Sequence, residues 1–274
     1  VNRAIWKKAV SECWRSLLIC GGLLILFAWV FVWLMSQFQL DTLGMVLRML
    51  PKFMQSAMGV PIADMATRTG QFSVLFVHLV TLLICIGWAL SRGSASISGE
   101  IGRGTMDLIL SLPVWRVTVM IVPAVVATIG SAILAGAVCA GIWLGLVTVD
   151  VGEEIAASKF LPGAVNLFFM TFCFTGITTL VSSASRDRWR VLAISAGIFV
   201  ASAILQMVSR MWSDGAWLRY FTFLSAFEPQ RLILFGDAAE PSAWQCNLTL
   251  LALGLGCYAL AAAVLWYRDI PAPR

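Results

Sequence analysis

Few residues in this sequence are equipped for chemistry, and they are scattered. There is one histidine, His78, and there are seven cysteines, none of them in C-x-x-C spacing. Covalent catalysis needs a nucleophile beside a base, and metal-assisted hydrolysis needs a His/Asp/Glu cluster. A lone histidine in an apolar segment free of carboxylates supplies neither. No G-x-x-x-x-G-K-[ST] occurs, so nucleotide binding through a P-loop is excluded. We therefore expect no catalytic residue, no metal ligand and no cofactor held by this chain. His78 reads first as a hydrogen-bonded packing group, with a ligand or proton relay as the other reading. The cysteines read as small apolar fillers.

The densest pattern of polar and turn-forming residues is SRGSASISGEIGRGTMDLILSLPVWRV, residues 91–117. Gly102 and Gly104 break the chain there, and Thr105 then stands in an N-cap position. Asp107 falls in the first turn, where a helix dipole favours an acid. Met106, Leu108, Ile109, Leu110 and Leu112 make a short apolar helix, which Pro113 stops by pushing Leu112 out of the α region. Arg103 and Arg116 flank it. Such a helix needs cover. Either it is buried among this protein's own helix ends, or its apolar face docks into a groove on another protein.

The elements that must hold this segment are set by composition. Of 274 residues, 60% are hydrophobic and 12% charged. Ordinary soluble domains carry about 25% charge. A soluble core cannot bury this much apolar surface, so the solvent is lipid. Disorder, disulfide scaffolds and nucleic-acid modules are excluded together. About 20 apolar residues cross the roughly 30 Å hydrocarbon layer as a helix. Six charge-free stretches qualify: residues 17–35, 72–90, 118–147, 164–182, 191–208 and 246–267. The third is too long for one crossing, so its start is expected in the headgroup layer, with Pro123 near the first turn or at a kink. The first run is expected to remain as an uncleaved span, because MSQFQLD after it offers no small-x-small site. With a cytoplasmic N-terminus, twelve of the 19 basic residues fall on the inner side, and nine of the 14 acidic ones on the outer. That bias follows the positive-inside rule, and six spans return the C-terminus to the cytoplasm. The expected fold is an all-α integral membrane protein of one domain, residues 1–274.

Residues 1–16 read as an amphipathic helix on the inner surface: Trp6, Val10, Cys13, Trp14 and Leu17 recur at helical spacing, opposite Arg3, Lys7, Lys8 and Arg15. It is either a basic anchor or, in addition, a contact for a cytosolic partner. The first outer loop carries a methionine-rich piece, including Met45, Met49, Met54 and Met58, expected as an interfacial half-helix. The third outer loop is aromatic from Trp212 to Phe227 and is expected to dip back towards the membrane. Ala137, Gly141 and Gly145 repeat every four residues, as do Ala193, Gly197 and Ala201. Such stripes let helices approach closely, within one chain or between two.

Glu100, Gly104, Thr105, Leu108, Leu110, Ser111, Pro113 and Arg116, placed after the second of six spans, resemble a segment of ABC-2-type permeases, the membrane subunits of ATP-binding-cassette exporters. The resemblance extends to the amphipathic N-terminal helix, the six spans and the aromatic loop before the last one. It implies a homodimer, each protomer bound to a separate ATPase subunit that carries ATP and Mg. It implies that the short helix is a coupling helix fitting a cleft on the ATPase, with Glu100, Arg103, Thr105, Asp107, Leu108, Leu110 and Arg116 as coupling residues. The implied location is a bacterial or archaeal cytoplasmic membrane, with lipid as surroundings and no nucleic-acid partner. Charge-free spans suit lipid-like, drug or peptide cargo better than a bare ion, though ion or sulfur-compound export stays open. The alternative is a scaffold that recruits a cytosolic protein and transports nothing.

Overall fold

The computed structural model describes residues 3–38, 49, 51, 59–106, 115 and 117–267. Among them, six helical segments are long and apolar enough to cross a membrane, and no strand occurs. The first is α1, Arg3–Ser36. The boundary expected at residue 17 is absent: the amphipathic stretch runs into the span as one helix. Kinks need a proline, a glycine pair or an inserted group, and neither proline nor glycine stands before Gly21. At 1.5 Å per residue such a helix reaches about 50 Å, well beyond the hydrocarbon layer.

After α2 (Ile62–Met65), the second span departs from the expected continuous helix. It opens with α3, Arg68–Ser73, tightens into a 3-10 turn over Val74–Phe76, and breaks at Val77 and His78 before α4, Leu79–Ser96. His78 is the N-cap of α4, with extended backbone, and its Nδ1 accepts the Val80 amide at 3.3 Å. Its ring lies 4.8 Å from Phe27 and 5.7 Å from Phe31. The packing role expected of the histidine thus includes replacing a backbone acceptor lost at the break, which matters where no water is available.

Then come α5 (Ser98–Gly102), α6 (Thr118–Thr148), α7 (Leu161–Ala184), α8 (Arg188–Met211), α9 (Pro229–Phe235) and α10 (Ala243–Tyr267). Pro123 lies inside α6 without ending it. The hub is α7, which packs against α4, α6, α8 and α10. Its buried hydroxyls are satisfied by its own backbone: Thr171, Thr175, Thr178 and Thr179 each donate to the carbonyl four residues back, at 2.7–2.9 Å. The outer helices are inverted relative to a soluble protein. In α8 the buried positions include Ser195 and Ser202, while Ile194, Val200, Ile204 and Met207 are exposed. Lipid is the solvent that such a surface suits. In the aromatic stretch before α10, Phe223, Leu224 and Phe227 turn into the core, Phe223 stacking on Phe174 at 5.7 Å. All seven cysteines are free.

The stripe Ala137, Gly141 and Gly145 faces α1 of the same chain. A Cβ on Gly141 would come within 2.6 Å of Ala28 Cβ and of the Ile25 carbonyl oxygen, and one on Gly145 within 2.7 Å of Val32. By contrast Ala193, Gly197 and Ala201 lie open on α8.

Candidate functional site

The segment singled out in the sequence begins where α4 ends. The chain turns at Ile97, makes the short α5, and reverses through Gly104, whose φ of +68° is costly for any residue with a Cβ. Thr105 follows, and Met106 is buried. Three ties fix this turn to the bundle. The first is a hydroxyl cluster: the Ser98 amide donates to Ser182 Oγ at 3.0 Å, and Ser98 Oγ donates to the Ser94 carbonyl at 2.8 Å. It joins the turn to the end of α7. The second is apolar, with Ile97 and Met106 packed among Val119, Met120, Ala261 and Leu265 at the start of α6 and the end of α10.

The third tie is electrostatic and centres on Glu100, whose residue exposure is only 6%. Lys8 Nζ of α1 donates to its Oε2 at 2.6 Å, Thr105 Oγ1 donates to the same oxygen at 2.5 Å, and Arg103 Nη2 pairs with Oε1. Glu12, one turn beyond Lys8, stands 4.0 Å from both Lys8 and Arg103. Burial pushes the Glu100 carboxyl up, but the hydrogen bonds from Lys8 and Thr105 and the charges of Arg103 and Lys8 outweigh it and hold it below its ordinary value. Such an ionised carboxylate, held by three donors on its two oxygens, is a clamp.

Of the residues expected to couple to a partner, the structure brings Glu100, Arg103 and Thr105 together in this clamp. Asp107, Leu108, Leu110 and Arg116 lie outside the described residues, as do Met45, Met54 and Met58 of the first loop. The exposed Trp115 borders the undescribed stretch. The sequence reading missed the clamp's α1 members, Lys8 and Glu12, because the heptad-scale pattern that marks a basic surface helix says nothing of which cation meets which carboxylate.

It also missed a second polar network at the opposite end of the bundle. There Asn166, fully buried in α7, donates from Nδ2 to the Ala226 carbonyl at 3.0 Å and to Asn247 Oδ1 at 2.9 Å, and its Oδ1 accepts the Glu228 amide at 3.0 Å. Glu228 in turn accepts from Arg210 at 2.6 Å. The available signal was an asparagine within a span, a position where polar groups are costly unless used.

No group of three or more His, Cys, Asp or Glu side chains that could hold a metal occurs among the described residues. The arrangement is that of a multi-pass helical membrane protein whose conspicuous polar centres are structural ties. The chain belongs to the ABC-2 family of transporter proteins, whose family model matches residues 3–265. It is a transport subunit and is not by itself an enzyme. No curated protein matches it.

Proposed function

We propose that the chain is the permease subunit of an ATP-driven exporter, that it works as a homodimer, and that each copy docks a separate ATPase through residues 107–116. Both termini and the docking segment are cytoplasmic in this reading, in a bacterial or archaeal membrane, and all 274 residues form one transmembrane domain. The observation that carries it is the Glu100 clamp. The turn that precedes the docking segment in the chain is bonded to α1 through Lys8, to α7 through Ser182, and to α6 and α10 through Met106. A displacement of that segment by a closing ATPase pair would reach four span ends at once.

Leu108 and Leu110 supply the apolar face for the ATPase cleft, and Asp107 and Arg116 its charged edges. Glu100, Arg103 and Thr105 transmit motion and do not touch ATP, which with Mg stays on the partner. The open stripe Ala193, Gly197 and Ala201 on α8 supports a contact with the second copy. The cargo is lipid-like, a drug or a peptide, consistent with spans whose buried polar groups are mostly hydroxyls and amides, Arg68 at the start of the second span being a charged one.

The test is co-purification from the native host in mild detergent, followed by reconstitution and ATP turnover. Leu108→Glu with Leu110→Glu should abolish recovery of a P-loop ATPase while membrane insertion persists. A double variant that still assembles and still couples turnover removes the docking assignment. Recovery of a partner without a nucleotide site would favour a scaffold.

A further inference from the structure

The Glu100 clamp leaves one cation over. Lys8, Arg103, Glu12 and Glu100 balance each other, two positive charges against two negative. Arg92, at the end of α4, donates from Nη1 to the Glu12 backbone carbonyl at 3.4 Å and feels the Glu12 charge without an ion-pair contact. Its Nη2 reaches Ser91 Oγ at 3.1 Å, and its guanidinium lies 5.4 Å from the Trp88 ring. It pairs with no carboxylate among the described residues, and its Nε is shut off from solvent with no acceptor. Arg188 adds a further positive charge nearby, spent on Ser94 Oγ at 3.2 Å. A buried guanidinium N–H without an acceptor is a costly feature to retain.

Arg92 also lines a cavity of about 160 Å³ between the start of α1, the end of α4 and the start of α6. Lys8, Glu12 and Glu100 line its polar side, and Ile5, Val119, Pro123 and Val126 its apolar side. Apolar walls beside an unmatched cation suit a ligand with both an anion and a hydrocarbon part. A free phosphate, fully hydrated, gains nothing from Ile5 or Val126.

We infer that this cavity binds an anionic phospholipid of the surrounding leaflet, its phosphate accepting from Arg92 and the first part of an acyl chain lying on the apolar wall. The site stands independently of the transport reading. Its location, against Lys8 and Glu100, makes the lipid a third component of the junction between α1 and the turn.

The experiment is native mass spectrometry of the purified full chain after partial delipidation, with phosphatidylglycerol, phosphatidylethanolamine and inorganic phosphate as competing probes. Both lipids offer Arg92 a phosphate, but the ammonium of phosphatidylethanolamine cancels that charge and is repelled by Arg92 and Arg188. Wild type should therefore retain phosphatidylglycerol about tenfold over it. Arg92→Gln should lose that preference. Ala9 also lines the cavity, and Ala9→Phe, which fills its apolar side with every charge in place, should lose the lipid too. Arg15→Gln, removing an exposed cation elsewhere on α1, should change nothing. Equal retention of the two lipids by wild type, or unchanged retention by Arg92→Gln, overturns the inference. So does stabilisation by inorganic phosphate that matches phosphatidylglycerol and survives Ala9→Phe. Should Arg92→Gln fail to fold, Ala9→Phe decides alone: retained lipid refutes the site, lost lipid supports it.

Discussion

The two polar networks, one at each end of the bundle, are built on different principles. At the Glu100 end the bonds run between side chains, Lys8 reaching over from α1 and Arg103 and Thr105 from the same turn. Two of the partners are open to solvent: Lys8 and Arg103 side chains are 39% and 44% exposed. At the Glu228 end the ion pair is more enclosed, at 26% and 13%, and Asn166 holds it through backbone groups. Long, half-exposed cations can exchange partners at small cost, since exposed pairs are worth little and salt screens them. A buried amide bonded to main chain has no alternative partner, so letting go leaves unsatisfied groups in a low-dielectric interior. One end is therefore adjustable and the other fixed, which suits the proposed drive from the Glu100 end.

The largest effect should come from breaking the fixed end. Asn166→Leu leaves the Glu228 amide, the Ala226 carbonyl and Asn247 without their partner, and should cost about 3 kcal/mol in stability. Thermal unfolding in detergent should show that loss unchanged between low and high salt. A loss that shrinks with salt would mean the Glu228 end is held by its ion pair, and the contrast would fail.

Next is a control that lies between the ends. Gly141→Ala places a methyl 2.6 Å from both Ala28 and the Ile25 carbonyl, so α1 and α6 must separate. Overpacking of this kind costs about 2 kcal/mol. Because α1 carries Lys8, the variant should also weaken the clamp, and a double cycle with Glu100→Gln should be non-additive. Strict additivity would show that the seam and the clamp are independent.

Glu100→Gln itself should cost less, about 1–2 kcal/mol at low salt, discounted for the exposure of Lys8 and Arg103, and less again at high salt. Its pH dependence has a definite sign. The folded-state carboxyl is held below its ordinary value of 4.5, so the stabilisation is complete above that value and is lost as pH falls through the depressed one. Wild type and Glu100→Gln should therefore unfold at different temperatures near neutrality and converge in acid. Curves that stay parallel down the acid range would remove the clamp from the stability of this end.

How much of this was legible in the sequence follows from which physics is local. Four of the six spans, the third to the sixth, lie within a few residues of their helices because hydropathy over some 20 residues is a sum, insensitive to partners. The turn at Gly104 was readable for a similar reason, since glycine followed by threonine and an apolar run encodes a local backbone event. Whether Ala137, Gly141 and Gly145 meet α1 or a second copy was open, because a small-residue stripe advertises a close approach without naming the neighbour. The Lys8–Glu100 pair, 92 residues apart, and the α7 hub are tertiary facts with no signature in spacing. Asn166 was visible as a polar residue in a span, but its three partners were not. The break at His78 was invisible for a further reason: no proline or glycine marks it, and the residue that makes it tolerable is the cap itself.

That break gives the smallest effect and the finest discrimination. It lies mid-span between the adjustable and the fixed ends, and its stabilising bond, Nδ1 accepting the Val80 amide, involves no ion pair. Removing a cap costs about 0.5–1 kcal/mol, while asparagine is itself a strong cap. His78→Ala should therefore lower the unfolding temperature slightly, and His78→Asn should restore most of it at every salt concentration. Were both variants equally destabilised, the ring contacts with Phe27 and Phe31 would be what matters. The break would then be held by packing against α1, the helix that carries Lys8, and the middle of the bundle would belong with the adjustable end. Rescue by asparagine places it instead with the fixed one, where a single polar side chain satisfies the backbone.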